Sequence, residues 1–93
     1  MMKLKRVEYK VPGGKLVAAE AEMEGGRISR VKITGDFFMH PEAEIARLES
    51  ALIGVTLEEL NAEVDRFFAD RSIQLLGIAH ADFTHIIRLS LSA

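Results

Sequence analysis

Cysteine is absent from the 93 residues, tryptophan is absent too, and there are only two prolines and one tyrosine. Without thiols the chain has no disulfide, no thiolate nucleophile and no zinc or iron–sulfur site built on cysteine. A cytoplasmic location is the expectation that follows. Long apolar runs are missing as well. Nothing approaches the roughly 18 residues of a membrane-spanning helix. The basic start Met1-Met2-Lys3-Leu4-Lys5-Arg6 lacks the apolar stretch that a signal peptide carries behind it. No membrane association is expected. Nor is nucleic acid, because the total charge is acidic and the basic segments lack interleaved surface aromatics.

What remains is 48% apolar and 28% charged. That is ordinary globular composition. A chain of this length forms a single domain over residues 1–93 and buries roughly two thirds of its unfolded surface, enough for one core but not for a deep pocket as well. The net charge of −2 is unevenly spread. Residues 1–35 hold eight Lys or Arg against four Glu, whereas residues 36–70 hold two Arg against nine Asp or Glu. A basic half and an acidic half of this kind steer partners more than they set a fold.

The basic half has the period of strands. Val7, Tyr9 and Val11 alternate with Arg6, Glu8 and Lys10, and Pro12-Gly13-Gly14 then breaks the run. From Lys15 to Glu24, Val17, Ala19, Ala21 and Met23 make one face and Leu16, Ala18, Glu20, Glu22 and Glu24 the other. Gly25-Gly26 signals a tight hairpin, and Arg27 to Thr34 supplies a third strand with Val31 and Ile33 inward. Ile28 is out of phase with that pair, which predicts a bulge or a frayed start near the turn.

Gly35 to His40 is read as a passage from sheet to helices. Pro41 at a first helical position, followed by Glu42 and Glu44, predicts a helix with Ile45, Leu48 and Leu52 inward and Gly54 as its stop. Thr56 with Glu59 is a capping box for a second helix that turns Leu57, Leu60, Val64 and Phe67 or Phe68 inward. Arg71 to Ile78 is apolar and fits no single element by its pattern; a short connector around Gly77 is the expectation. A last helix is predicted over roughly Ala81 to Leu91, although Ala79-His80-Ala81-Asp82 offers no Ser or Asp at the usual capping position. The expectation is an α+β fold: a three-stranded antiparallel β-meander followed by about three helices packed on one face.

The sequence offers no complete catalytic constellation and no metal site. His80 and His85 are five apart, about 140° around a helix, whereas paired helical ligands need i, i+3 or i, i+4 spacing. No nucleophile stands beside Asp82 and His85, and Ser90 and Ser92 lie toward a frayed end. Glu42, Glu44, Glu49, Glu58, Glu59 and Glu63 are read as solvated helix surface. Pro12-Gly13-Gly14-Lys15 is not a phosphate-binding loop, because the GxxxxGK[ST] spacing is absent and the segment leads into a strand. Its glycine amides beside Lys10 and Lys15 suit contact with an anion or with another chain's backbone. In Asp36-Phe37-Phe38-Met39 adjacent aromatics of extended chain point to opposite sides, so one of them is left exposed unless the chain turns or a partner covers it.

Lys10-Val11-Pro12-Gly13-Gly14-Lys15-Leu16-Val17, then Gly25-Gly26-Arg27-Ile28, then Val31-Lys32-Ile33-Thr34-Gly35-Asp36-Phe37-Phe38 with Pro41-Glu42 and Leu48 to Gly54, resembles the small C-terminal accessory domain of lipoate-protein ligases. The resemblance implies a non-catalytic subunit of a two-chain enzyme, since a chain of accessory size that begins at Met1 fits the arrangement in which this domain is a separate polypeptide. The large catalytic chain would then bind ATP, Mg²⁺ and lipoate, form lipoyl-adenylate and pass the lipoyl group to a lysine of an acceptor lipoyl domain. No catalytic residue and no cofactor is implied for this chain. Lys10, Gly13, Gly14, Lys15, Asp36, Phe37 and Phe38 are the expected contact surface of such a heterodimer. The alternative is a stand-alone adaptor or scaffold that binds another protein through the same face. Scaffold proteins of iron–sulfur assembly share the fold but depend on cysteines, which this chain lacks.

Overall fold

Alternating side chains and paired glycines build the first half. The computed structural model describes residues 5–69 and 71–92. Three strands, β1 (Lys5–Lys10), β2 (Leu16–Glu24) and β3 (Arg27–Gly35), pair antiparallel in that order. The register of β2 on β3 shifts between Glu22 and Met23, so that Glu22 faces Arg30 and Met23 faces Ile28. That bulge brings Ile28 onto the same face as Ile33 and buries it, which is how the phase break in the sequence is resolved.

One face of the sheet carries the core: Val17, Ala19, Ile28 and Ile33 lie beneath the helices. The opposite face is charged and mixed. Ala18 is nonetheless fully buried there, because its small side chain sits in the middle strand between its cross-strand neighbours Glu8 and Thr34.

A second, two-stranded ribbon departs from the expectation. β4 (Phe38–His40) pairs antiparallel with β5 (Gln74–Leu76), so both the expected passage and the expected connector contain strand. Each strand is only three residues long, too short for alternation to show.

The helices are α1 (Glu44–Leu52), α2 (Leu60–Ala69) and α3 (His80–Ser92). α1 starts later than the expected Pro41. Pro41 to Ala43 form a turn whose carbonyls accept at i+3, Glu44 N–H on Pro41 O and Ile45 N–H on Glu42 O. Glu44 is therefore not solvated: it is buried and pairs with Arg71 from beyond α2, with Nη1 at 3.1 and 2.9 Å from its two oxygens, and with Arg47 at 3.3 Å. Arg71 also lies over the Phe67 ring at 4.5 Å. Glu49 departs from the expectation in the same way. It is half-buried and accepts the Ile33 N–H at 2.7 Å. A donor on the outer edge of β3 is thereby satisfied.

The capping box ahead of α2 forms in both directions: Thr56 N–H donates to Glu59 and Glu59 N–H to the Thr56 hydroxyl, each at 3.2 Å. These are the reciprocal bonds that such a box supplies. The Thr56 backbone N–H, with the Thr56 side chain second, holds the Glu59 carboxyl below its ordinary value. The folded value lies below the unfolded one, so this stabilisation is complete above the unfolded value and is lost as pH falls through the folded one. Glu59→Ala is expected to lower the melting temperature at neutral pH, and the gap to the wild type should close as the pH enters the acid range, read by thermal melts across pH.

α3 begins at His80 without a side-chain acceptor on the preceding residue. Asp82 takes over from inside the helix and accepts the Ala79 N–H at 2.8 Å, one half of a capping box. The C-terminal end is not frayed at Ser90, which is buried and whose Oγ accepts the Ala21 N–H of β2 at 2.9 Å. α3 lies across β1 and β2, α2 packs on α3, and α1 bridges α2 and β3. No helix among the described residues is long and apolar enough to cross a membrane.

Candidate functional site

Three segments meet at one end of the molecule, and only two of them stand out in the sequence. The first is the turn between β1 and β2, where Gly14 N–H donates to Val11 O at 2.8 Å and Val11 N–H to Lys15 O at 3.0 Å. The second is the exit from β3. The third is the residue after β5: Lys15 N–H donates to Gly77 O at 2.9 Å, fastening the turn to the ribbon.

Two glycines are required by this crowding. A Cβ on Gly14 would stand 2.5 Å from Gly77 O, and one on Gly35 would stand 2.4 Å from Leu16 O. Both obstacles are backbone, which gives way poorly. Gly14→Ala is expected to destabilise the domain by about 1–3 kcal/mol, the range for overpacking. The cost should appear as a lower melting temperature, together with faster hydrogen exchange at the Lys15 amide.

Asp36 clasps Leu16 through both ends, its Oδ1 accepting the Leu16 N–H at 2.7 Å while its own N–H donates to Leu16 O at 3.1 Å. Lys10 turns its ammonium onto Gly14 O. Gly13 and Lys15 are exposed. The two phenylalanines diverge. Phe37 is half-buried and meets Phe83 edge-on, with centroids 5.4 Å apart, whereas Phe38 is 47% exposed. The structure thus brings all seven residues singled out from the sequence to one end, with Asp36 and Lys10 bonded within the chain and Phe37 turned into the core.

The residue that sequence reasoning missed is Leu76. It lies directly across the ribbon from Phe38 and is 64% exposed. Its signal is hidden in an apolar stretch whose pairing depends on β4. His40 lies on the same outward side and stacks on Phe38, with centroids 6.3 Å apart. A shallow hollow of ≈ 250 Å³ opens beside Phe38, bounded by Thr34, Met39, Glu42 and Ile45 among others.

Elsewhere the surface is less suited to one ligand. A groove of ≈ 570 Å³ runs between β3 and α1 and mixes Arg30 and Lys32 with Glu20 and Glu49. His80 stacks on Phe68 at 4.2 Å and His85 meets Tyr9 at 4.5 Å, so each of the three histidines has its own aromatic neighbour. Among the described residues no group of three or more His, Asp or Glu is placed to hold a metal ion. The chemistry that the arrangement offers is recognition: an apolar ridge, a cation and turn backbone at one end of a braced scaffold.

Known proteins match this chain over nearly its whole length. The family described as bacterial lipoate protein ligase C-terminus matches residues 5–87. The chain is 35% identical over 74 residues to lipoate-protein ligase A subunit 2 of Thermoplasma acidophilum, a stretch covering 80% of this chain and 78% of that protein. It is also similar to a chain in the solved structure of an archaeal lipoylation system from Thermoplasma acidophilum, a bipartite lipoate protein ligase and its E2 lipoyl domain. There the TM-score is 0.83 at 31% identity, with 95% of this chain and 98% of that one covered.

Proposed function

This chain belongs to the bacterial lipoate protein ligase C-terminus family, and on that premise we propose that it is the non-catalytic small subunit of a two-chain lipoate-protein ligase. In this reading a large catalytic chain binds ATP, Mg²⁺ and lipoate and makes lipoyl-adenylate, which is then used to modify acceptor lipoyl domains. The small subunit docks on the large one, orders loops over the bound adenylate and restricts water, which would hydrolyse a reactive mixed anhydride. The observation that carries the reading is the near-complete mutual coverage with one chain of a bipartite ligase system.

The docking end is the one built from Lys10, Gly13, Gly14, Lys15, Asp36, Phe37 and Phe38, in which Asp36 and Phe37 hold the frame and Phe38 faces outward. A stable contact of this kind buries more than about 1,000 Å² in total. The test is to mix the purified chain with the large ligase chain of the same organism and measure the mass of the product by light scattering. A complex of one copy of each is expected; two unassociated species at micromolar concentration would refute the reading.

A further inference from the structure

We propose that the outer face of the β4–β5 ribbon is the anchor of the subunit contact, and that the large chain meets it with an apolar recess bearing a carboxylate opposite Lys15. The inference rests on the two-chain reading above and adds the chemistry of the surface that receives this one.

The ribbon has two unlike faces. Met39 and Leu75, a directly opposed pair, turn inward, Met39 almost fully buried and Leu75 packed against the core. Phe38 and Leu76, the next opposed pair, turn outward and are 47% and 64% exposed. They are two of four large apolar side chains so exposed among the described residues; the others, Ile53 and Leu89, stand on different elements at the end of α1 and on α3. A short two-stranded ribbon gains little from an apolar pair left in water. The same pair in a desolvated recess is the kind of feature that dominates an interface. His40 stacked on Phe38 widens the ridge.

The charge beside the ridge fixes the sign of what faces it. Lys10 is spent on Gly14 O and Asp36 on Leu16. Lys15 has no carboxylate within ion-pair distance among the described residues. Its stem lies across Gly77, the residue after Leu76, so closely that a Cβ there would stand 2.3 Å from Lys15 Cγ. Gly77 thus seats the lysine next to the ridge, with a cation to be met by the partner.

The test measures affinity for the large subunit by titration calorimetry at low and high salt, using Leu76→Ala, Lys15→Glu and, as a control, Lys32→Glu. Lys32 is likewise exposed and without an ion pair among the described residues, but it lies on the charged sheet face away from the ribbon. Leu76→Ala and Lys15→Glu are each expected to weaken binding at least about tenfold. Lys15→Glu should also reverse the salt dependence, since added salt relieves the repulsion between two facing carboxylates, while Lys32→Glu stays within about twofold of wild type. Leu76→Thr, which keeps a strand-forming side chain, should repeat the loss, and unchanged melting temperatures would show that the folds are intact. Wild-type affinity in either Leu76→Ala or Lys15→Glu overturns the anchor while leaving the two-chain reading standing. Absence of any complex with the wild-type chain overturns both.

Discussion

Phe83→Ala is expected to cost about 3–5 kcal/mol of folding stability, the range for removing a fully buried aromatic ring. Phe83 is fully buried, and two rings converge on it: Phe68 of α2 at 5.6 Å and Phe37 at 5.4 Å, with His80 stacked on Phe68 behind. The substitution therefore opens a cavity where α2, α3 and the exit from β3 come together, and it removes aromatic contacts beyond the area lost. For a domain of this size each 1 kcal/mol lowers the melting temperature by about 4–8 °C, so a fall of about 12–40 °C is expected in a thermal melt. Small domains have about 5–15 kcal/mol in total. The variant should be marginal at growth temperature, and a melt within about 5 °C of wild type, the shift of roughly 1 kcal/mol, would contradict this assignment of the core.

The second large effect falls on binding and not on folding. Phe38→Ala should weaken association with the large subunit by at least about tenfold, as removal of an aromatic anchor does, and leave the melting temperature within about 2 °C. Phe37→Ala should do the reverse first, lowering the melting temperature because its ring rests on Phe83. Its effect on association then arises only through the frame that it supports. Adjacent identical residues with opposite outcomes make a sharp comparison, since composition and local sequence are matched. A collapse of the far-UV circular dichroism signal in Phe38→Ala would place Phe38 in the core.

Much of the fold is legible in the sequence because it is written in short-range signals. Period-2 alternation marks the strands, Gly25-Gly26 marks the hairpin, and the phase break at Ile28 marks an irregularity that the structure resolves as a bulge and not a frayed start. Thr56 and Glu59 announce the start of α2, and their hydrogen bonds form in both directions. The features that stay hidden depend on residues far apart in the chain. Phe38 to His40 are strand only because Gln74 to Leu76 lie beside them. Glu44 is buried only because Arg71, 27 residues on, supplies the opposite charge. Ser90 looks like the start of a fraying end until Ala21 is placed against it. The start of α3 is obscured because its capping group is Asp82, inside the helix, and not the residue before it.

The candidate site divides along the same line. Pro12 to Lys15 and Gly35 to Phe38 are visible as motifs, and the backbone crowding at Gly14 and Gly35 explains why glycine stands there. Leu76 carries no local mark, yet the ribbon makes it the most exposed large apolar side chain among the described residues. Its position opposite Phe38 turns a lone exposed aromatic into a ridge, and Gly77 ties that ridge to Lys15.

The proposed role is exercised only in combination with a large catalytic chain. The direct measurement is lipoate-dependent pyrophosphate release from ATP by the purified large chain, with and without this one. Release is expected when both chains are present, with little or none from either alone. Equal release by the large chain in the absence of this subunit would contradict it.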